Sequence, residues 1–446
     1  MIRLLLIFLG LLALANCYRP LGSASFQAKM RELRELQATR LGFKMDWNAP
    51  IFVEKNLNPY LLYGRIMLDE DQLDQILKNM KKDHRSSRRN KRSIIYDKKR
   101  MWPKNIRMER INLDATTQQV VTEVAAFYNG ETCLTFDFSA ETYYYYRGVK
   151  FVQTGDGCFS GLGMVPALMF QNVSVDASCA DYGMVSSLFA QFLGVYFEHT
   201  RSDRNQYISV VKANVDPFLY IFYYDTIIWP FINDYVVDYD YGSIMHYSGF
   251  ENSLNGSRVI TTLDSNYQQT IGQIEGPSFA DIKRINRAYC GDVCDIFDPH
   301  VCQNFGYLDP TFCSRCKCIP GFKGDRCELF DSATGCGTQQ LTATTALKTL
   351  TVTASKKCFY LITAPPGQQV NFSLTSMTIR STGPVVKRGA CLYNYLEINY
   401  RRDWTYGGAR FCNGTMPTVS RSQSNRLLLT YKGYAGATFT MTYKAV

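Results

Sequence analysis

Histidine is scarce in this chain of 446 residues, which contains only His84, His199, His246 and His300. Two of them, His199 and His246, lie in the same domain-sized stretch of sequence. Zinc in proteins is bound by nitrogen, sulfur or carboxylate donors, and three histidines are a common set in catalytic sites. The scarcity therefore excludes a site built from three histidines of one domain and leaves only a rearranged ligand set.

Hydrophobic runs long enough to span a bilayer are also lacking. Residues 4–15 are apolar but too short to cross a membrane, and they follow Arg3 and end in small residues. This pattern predicts a signal peptide over residues 1–17, with a membrane-anchored N-terminus as the alternative. The apolar run at 218–232 is interrupted by Asp225 and Pro230, which argues against a transmembrane helix. Within it we predict a buried strand over residues 218–224, with a ligand-binding surface as the alternative.

Cysteine is absent between residues 18 and 132, although the chain has 15 cysteines. Cys17 ends the signal region, and the other 14 all follow residue 132. An even number of cysteines in a secreted chain predicts seven disulfides, because the compartment is oxidising.

Acidic residues are in deficit only near the N-terminus. Residues 1–92 carry 17 Lys and Arg against 9 Asp and Glu, which accounts for eight of the ten net positive charges. The basic excess therefore does not indicate nucleic-acid binding. The excess ends in Arg89-Asn90-Lys91-Arg92, a typical site for furin-type convertases. We predict a propeptide over residues 18–92 that is cleaved after Arg92, and a solvated charged segment is the alternative.

Three further blocks follow. Residues 93–292 mix strand-like runs with helical patterns near 183–194 and 279–290, which predicts an α+β domain. Residues 293–328 hold six cysteines, a density typical of a small disulfide-stapled module, with a zinc knuckle as the alternative. Residues 336–446 contain short runs rich in Thr, Val, Tyr and Phe between turns, which predicts an all-β domain.

The block at 93–292 resembles the astacin family of zinc metalloendopeptidases, which are metzincins. The resemblance rests on motifs in the family's order: Trp102-Pro103, TC at Cys133, GDGC at Cys158, TRSDR at 200–204, YDYGSIMHYS at 239–248, and DIKRINRAYC ending at Cys290. A signal peptide, propeptide, astacin, EGF-like and CUB arrangement is common among nematode astacins. The resemblance implies an astacin-like α+β fold, an EGF-like module at 293–328 and a CUB β-sandwich at 336–446.

The resemblance also implies the disulfide pairs. They are Cys133–Cys290, Cys158–Cys179, Cys294–Cys313, Cys302–Cys316, Cys318–Cys327, Cys336–Cys358 and Cys391–Cys412. Calcium-binding CUB domains carry an acidic residue where this chain has Asn394. Because an amide is a weaker ligand than a carboxylate for a hard dication, we expect no calcium site there.

The catalytic motif of the family, H-E-x-x-H-x-x-G-x-x-H, supplies three zinc ligands and a glutamate that activates water. Aligned on the glycine at Gly194, its ligand positions hold Ser187, Gln191 and Phe197, and its glutamate position holds Leu188. Serine and glutamine are weak zinc donors, phenylalanine has no donor, and leucine cannot transfer a proton. We therefore expect no metal ligands, no catalytic residue and no zinc cofactor.

Family propeptides present Phe-x-Gly-Asp, whose aspartate caps the zinc, and this chain has Arg65 at that aspartate position. A cation would be repelled by zinc, which agrees with an absent metal. We expect Ser187 and Gln191, four residues apart on a helix, to hydrogen-bond each other in the former cleft. The resemblance implies that Met245 and Tyr247 also line this cleft, with Tyr247 no longer beside a metal.

Together these features predict a secreted, extracellular pseudoprotease that binds peptide, matrix or protein partners through its cleft and its EGF-like and CUB modules. The alternatives are a metalloendopeptidase with a non-standard site and a purely structural matrix protein. We expect no nucleic-acid partner and no transmembrane segment. The candidate N-glycosylation sites are Asn172, Asn255, Asn371 and Asn413.

Overall fold

The computed structural model describes residues 22–48, 58–82, 94–95, 97–139, 147–226, 232–233, 237–294, 301–381, 389–417 and 421–446. The predicted signal peptide and the predicted cleavage site at Arg92 lie outside these residues. Within them, no helix is both long enough and apolar enough to cross a membrane.

An N-terminal segment, defined here as the described parts of residues 22–82, forms two helices and a short strand. They are α1 (Ala24–Arg40), β1 (Ile66–Met67) and α2 (Glu70–Lys81). Ser23 caps the start of α1, and Asp69 and Gln72 form a capping box at the start of α2. In both helices a side chain therefore accepts a hydrogen bond from a backbone N–H of the first turn. Buried apolar side chains join the two helices to the core of the following domain.

The next part of the chain, here called the central domain (residues 94–290), is α+β. Its strands are β2 (Ile94–Ile95), β3 (Asn105–Ile111), β4 (Thr135–Asp137), β5 (Gly148–Val152), β6 (Ser160–Gly161), β7 (Phe170–Ser174), β8 (Ile208–Val210), β9 (Ile232–Asn233) and β10 (Ile260–Thr262). Its helices are α3 (Ala115–Glu131), α4 (Tyr182–Phe192), α5 (Pro217–Tyr223) and α6 (Phe279–Tyr289).

Four of these strands form a parallel sheet in the order β4-β3-β5-β7. Helices α3 and α4 pack together, and Phe189 of α4 stacks on Tyr128 of α3 and on Phe151 of the sheet. Strand β1 of the N-terminal segment pairs in parallel with β6, beside this sheet. The N-terminal segment is thereby hydrogen-bonded into the central domain.

Two smaller units complete the chain. The cysteine-rich module (residues 294–330) contains two hairpins, which pair β11 (Tyr307–Leu308) with β12 (Cys316–Lys317) and β13 (Phe322–Lys323) with β14 (Leu329–Phe330). The C-terminal sandwich has the strands β15 (Gln340–Thr342), β16 (Lys348–Val352), β17 (Lys357–Thr363), β18 (Val370–Met377), β19 (Tyr395–Asn399), β20 (Ala409–Phe411), β21 (Arg426–Lys432) and β22 (Phe439–Ala445). They form a five-stranded sheet, β15-β17-β21-β19-β20, and a three-stranded sheet, β16-β22-β18.

The disulfides have the pairing that the resemblance implies. They join Cys133–Cys290, Cys158–Cys179, Cys294–Cys313, Cys302–Cys316, Cys318–Cys327, Cys336–Cys358 and Cys391–Cys412. All six cysteines of the cysteine-rich module are bonded to one another, which excludes the zinc-knuckle alternative.

The order α+β domain, disulfide-rich module and all-β sandwich is confirmed, but the predicted strand at 218–224 is wrong. That stretch lies mostly in α5, which starts at Pro217 and is capped by the Asp216 side chain through the Phe218 N–H. Proline suits the first position of a helix because its missing N–H has no partner there in any case.

Candidate functional site

Helix α4 carries the positions where the family places its first two zinc ligands. Asp181 caps it by accepting from the Met184 N–H, and its apolar side chains Val185, Phe189 and Phe192 are fully buried. Gly194 follows at φ = 93°, a left-handed conformation, and ends the helix. Local signals therefore build the same helix and turn that the metal-binding motif requires.

The side chains at the ligand positions are engaged elsewhere. Ser187 Oγ donates to the Met184 carbonyl at 2.7 Å, and Gln191 Nε2 lies 2.9 Å from the carbonyl oxygens of both Arg65 and Ser160. The predicted Ser187–Gln191 hydrogen bond is therefore wrong, because each side chain has other partners. Leu188, at the glutamate position, and Phe197, at the third ligand position, are fully buried in the apolar core.

The side chain of Arg65 lies between these positions. Its Nη1 donates to Ser187 Oγ at 2.7 Å and contacts Sδ of Met184. Its Cζ lies 4.8 Å from the ring centroid of Phe197, within the range of a cation–π interaction. The guanidinium thus contacts two of the three positions from which a zinc ion would be held.

The backbone around Arg65 is fixed by close contacts with the central domain. Gly64 has φ = 68°, and a Cβ at this position would lie 2.6 Å from Cε1 of Tyr223. Glycine is therefore required on both conformational and steric grounds. The Ser160 N–H donates to the Arg65 carbonyl at 3.0 Å, which continues the β1–β6 pairing.

Tyrosines anchor the residues just before Arg65. Tyr247 donates its hydroxyl to the Tyr63 carbonyl at 2.8 Å, and Tyr63 donates to the Asp225 carbonyl at 2.7 Å. Tyr196 donates to the Tyr63 hydroxyl at 2.9 Å. Burial raises the pKa of Tyr247 well above its usual value, so its hydroxyl stays protonated as a donor. Tyr247 therefore lines the cleft and holds the N-terminal segment there.

The two histidines of the central domain have both ring nitrogens occupied. His199 Nδ1 accepts from the Tyr247 N–H at 3.4 Å, and Nε2 donates to the Tyr223 carbonyl at 3.2 Å. His246 Nε2 accepts from the Tyr239 hydroxyl at 2.6 Å, and Nδ1 donates to the Tyr247 carbonyl at 2.7 Å. Burial lowers the pKa of both rings, that of His246 to about 4, so both are neutral.

This set of side chains does not fit a zinc ion. Zinc needs several lone pairs from nitrogen, sulfur or carboxylate groups, whereas the residues here offer a hydroxyl, an amide and an aromatic ring around a cation. Within the described parts of the chain, no three His, Cys, Asp or Glu side chains form a group that could hold a metal ion. No hydrolytic step through zinc can be derived from these side chains.

Beside Arg65 a cavity of about 190 Å³ remains in the cleft, lined partly by Met184, Tyr223, Tyr247 and Glu251. Met245 is fully buried in the turn that precedes Tyr247, and its carbonyl accepts from the Glu198 N–H at 3.1 Å. The turn around Met245 is held by Asp281 of α6, which accepts from the Ser243 hydroxyl at 2.7 Å. Of the two predicted cleft residues, Tyr247 lines this cavity, whereas Met245 is buried in the adjacent turn.

The helix ended by Gly194 and the turn around Met245 are features of a metzincin-type protease domain, here followed by a CUB-type sandwich. Residues 94–290 match the family model "Astacin", which describes a family of peptidases, and residues 336–443 match "CUB domain". The chain belongs to the astacin family.

Its relatives include two curated nematode proteins. The chain is 34% identical over 449 residues to "Zinc metalloproteinase nas-34" of Caenorhabditis elegans, covering 96% of this chain and 72% of that protein. It is 31% identical over 403 residues to "Zinc metalloproteinase nas-23" of the same organism, covering 86% and 72%. Among solved structures, high choriolytic enzyme 1, a hatching enzyme zinc-protease from Oryzias latipes, is 27% identical with a TM-score of 0.38, covering 44% of this chain and 96% of that one.

Sequence reasoning identified the altered positions but missed the partner that fills the cleft. Arg65 was recognised only as an aspartate lost from the propeptide motif, and its contact with Ser187 spans 122 residues. The sequence did contain one signal for this contact. A cation, Arg65, occupies the position of the metal-capping aspartate in a chain whose metal-ligand positions also lack histidine.

Proposed function

We propose that this protein is a non-catalytic member of the astacin family that acts by binding rather than by hydrolysis. The observation that carries the proposal is the guanidinium of Arg65 seated between Ser187 and Phe197, where the family holds zinc. Leu188 in the glutamate position adds that no carboxylate is available there to activate water. No zinc cofactor and no catalytic residue are assigned.

The same proposal includes a secreted, extracellular location. Seven disulfides support an oxidising compartment, and the hairpins and pairing of the cysteine-rich module support an EGF-like assignment. Three of the sequon asparagines, Asn172, Asn255 and Asn413, are exposed and could accept glycans, and Asn371 is half-buried. We further propose a signal peptide over residues 1–17 and cleavage after Arg92.

Partners of this protein would be extracellular proteins or peptides. The N-terminal segment fills much of the cleft, so the exposed faces of the cysteine-rich module and the sandwich are the favoured binding surfaces. The names of the relatives indicate instead a zinc metalloproteinase, and the test must be able to detect that activity.

The test measures zinc content and peptide hydrolysis of the purified mature protein, before and after a chelator. We expect far less than one zinc per chain and no chelator-sensitive hydrolysis. The matched control carries Arg65→Asp, Ser187→His, Leu188→Glu, Gln191→His and Phe197→His, which together restore the family motif. This control is expected to approach one zinc per chain. One equivalent of zinc with chelator-sensitive turnover in the wild type would show that the protein is an enzyme with an unusual site.

A further inference from the structure

The N-terminal segment enters the cleft with a cation where related chains carry a metal-capping aspartate. We propose that this segment is a permanent subunit, which stays bound to the central domain after the chain is cut at Arg92, with the Arg65 guanidinium in the place of the metal. The inference rests on the proposed function, since the guanidinium and a zinc ion cannot share the site. The cleft is then an internal interface.

The first anchor is the cleft itself. Arg65 donates to Ser187 and stacks on Phe197, while its carbonyl accepts from the Ser160 N–H at 3.0 Å and from Gln191 Nε2 at 2.9 Å. Hydrogen bonds with a charged donor are roughly twice as strong as neutral ones, and a buried group that loses its partner costs more than the bond itself. Both the side chain and the backbone of Arg65 are therefore bound by the central domain.

The second anchor is a pair of charge clusters of opposite sign. Arg100 of the central domain is almost fully buried and donates to Asp69 and, at 2.5 Å, to Asp71. Asp225 of the central domain is also buried and accepts from Arg40 and, at 2.9 Å, from Gln37. Each side of the interface supplies the counter-charge that the other side needs, which gives specificity as well as affinity.

The third anchor combines a cation–π contact with apolar packing. Arg34 of α1 lies over the ring of Phe222 of the central domain with its Cζ 4.1 Å from the centroid, and its Nη1 donates to the Ile221 carbonyl at 3.4 Å. Leu62 and Ile66 are fully buried in the core shared with the central domain. Release of the segment would return these apolar side chains to water, which is unfavourable.

Cleavage does not touch any of these anchors. The anchoring side chains named above, and that of Gln72, which donates to the Leu162 carbonyl at 3.0 Å, all lie upstream of the bond that follows Arg92. The cut therefore breaks the covalent link between the segment and the central domain but removes none of the contacts described above. Whether the segment stays bound after cleavage therefore depends only on its non-covalent contacts with the central domain.

The experiment treats the secreted full chain with a furin-type convertase and then passes it through size exclusion at physiological salt. We expect the fragment that ends at Arg92 to elute with the rest of the protein. The Arg65→Ala variant should release its fragment at least about tenfold faster, since a charged hydrogen bond and a ring contact are lost. Arg31→Ala is the matched control, because Arg31 is an exposed arginine of α1 that contacts only the Trp47 ring among the contacts described.

Zinc is measured in the same fractions so that two failures can be told apart. A wild-type fragment that elutes separately from a zinc-free body would overturn the permanent-subunit inference and leave the non-catalytic proposal standing. Release accompanied by one zinc per body would overturn both. The elution of the wild-type fragment can be measured without any variant, so the inference stays testable even if Arg65→Ala fails to fold.

Discussion

A guanidinium group and a zinc ion require different neighbours, and the residues around Arg65 suit the former. An ion of charge +2 needs lone pairs at short range, whereas guanidinium needs hydrogen-bond acceptors and tolerates an aromatic face. Ser187 Oγ supplies an acceptor at 2.7 Å, and Phe197 supplies the face. A phenylalanine that contributes nothing to a metal site is thus a suitable neighbour for arginine. Arg65, Ser187 and Phe197 therefore form one set of mutually compatible side chains.

At the same scale, His246 is expected to make stability depend on pH. Its folded pKa is lowered to about 4 by burial, below the unfolded value of about 6.5. The stabilisation is therefore fully present above pH 6.5 and is lost as the pH falls from 6.5 towards 4. Between pH 7 and pH 5 the loss from this one ring is on the order of 2 kcal/mol. Denaturant unfolding of the wild type at these two pH values measures it.

His246→Asn is the control for that experiment, because it removes the titrating ring while all other groups remain. The variant is expected to lose less stability than the wild type between pH 7 and pH 5. Equal losses in the two proteins would mean that His246 does not titrate as its burial implies.

Among the elements, α4 shows that the cap, packing and end of a helix can be independent of the residues at its metal-ligand positions. Its cap at Asp181, its buried face at Phe189 and its end at Gly194 use positions other than the metal-ligand positions. Substitutions at Ser187 and Gln191 therefore left capping and packing intact. The helix was predictable from sequence for the same reason.

Gly194→Ala tests how strictly the end of α4 is fixed. The residue has φ = 93°, and an added Cβ would lie 3.0 Å from Cβ of Ile95. We expect a loss of unfolding free energy of about 1–2 kcal/mol, since L-residues are disfavoured in this conformation. Chemical denaturation measures the loss.

Gly130→Ala is the matched control, because Gly130 lies inside α3 and a Cβ there meets open space. This variant should be up to about 1 kcal/mol more stable than the wild type. A Gly194→Ala protein as stable as the wild type would mean that the turn can rearrange without cost.

Other elements show where sequence reasoning fails. The alternating strands of the sandwich were predictable from their composition, but the apolar run at 218–224 was assigned to a strand and lies mostly in α5. Periodicity cannot separate a short buried strand from a short buried helix. The cap at Asp216 before Pro217 was the deciding local signal. The contact between Arg65 and Ser187 could not be predicted, because no local rule relates residues that are 122 positions apart.

On the scale of the whole molecule, the domain and modules pack directly against one another. Glu275 of the central domain accepts from the Tyr393 N–H at 2.6 Å and from Lys432 Nζ at 2.7 Å, both in the sandwich. Lys317 of the cysteine-rich module lies 3.0 Å from the Glu131 carboxylate of the central domain. The sandwich is thus attached by charged contacts as well as by the chain.

Glu275→Gln is expected to weaken that attachment. Burial alone would raise the pKa of Glu275, but Arg410 and Lys432 lower it, so the carboxylate is charged and paired. Neutralising it leaves the two cations short of a partner and should cost about 1–3 kcal/mol. Limited proteolysis of the links to the sandwich, together with thermal unfolding, measures the effect.

Glu123→Gln provides the comparison, because Glu123 is exposed on α3 and bonds only to Gln119 among the contacts described. It should match the wild type in both measurements. If Glu275→Gln also matches, the sandwich is held by its remaining contacts and the buried carboxylate contributes little.

The position of Arg34 has a consequence for the order of events during synthesis. Its guanidinium lies 3.4 Å from the carbonyl of Ile221, a residue made 187 positions later. At roughly 5–20 residues per second, translation leaves α1 without this surface for about 10–40 s. For that interval α1 can pack against α2 of its own segment, but the face that later meets α5 stays exposed until the central domain has been made.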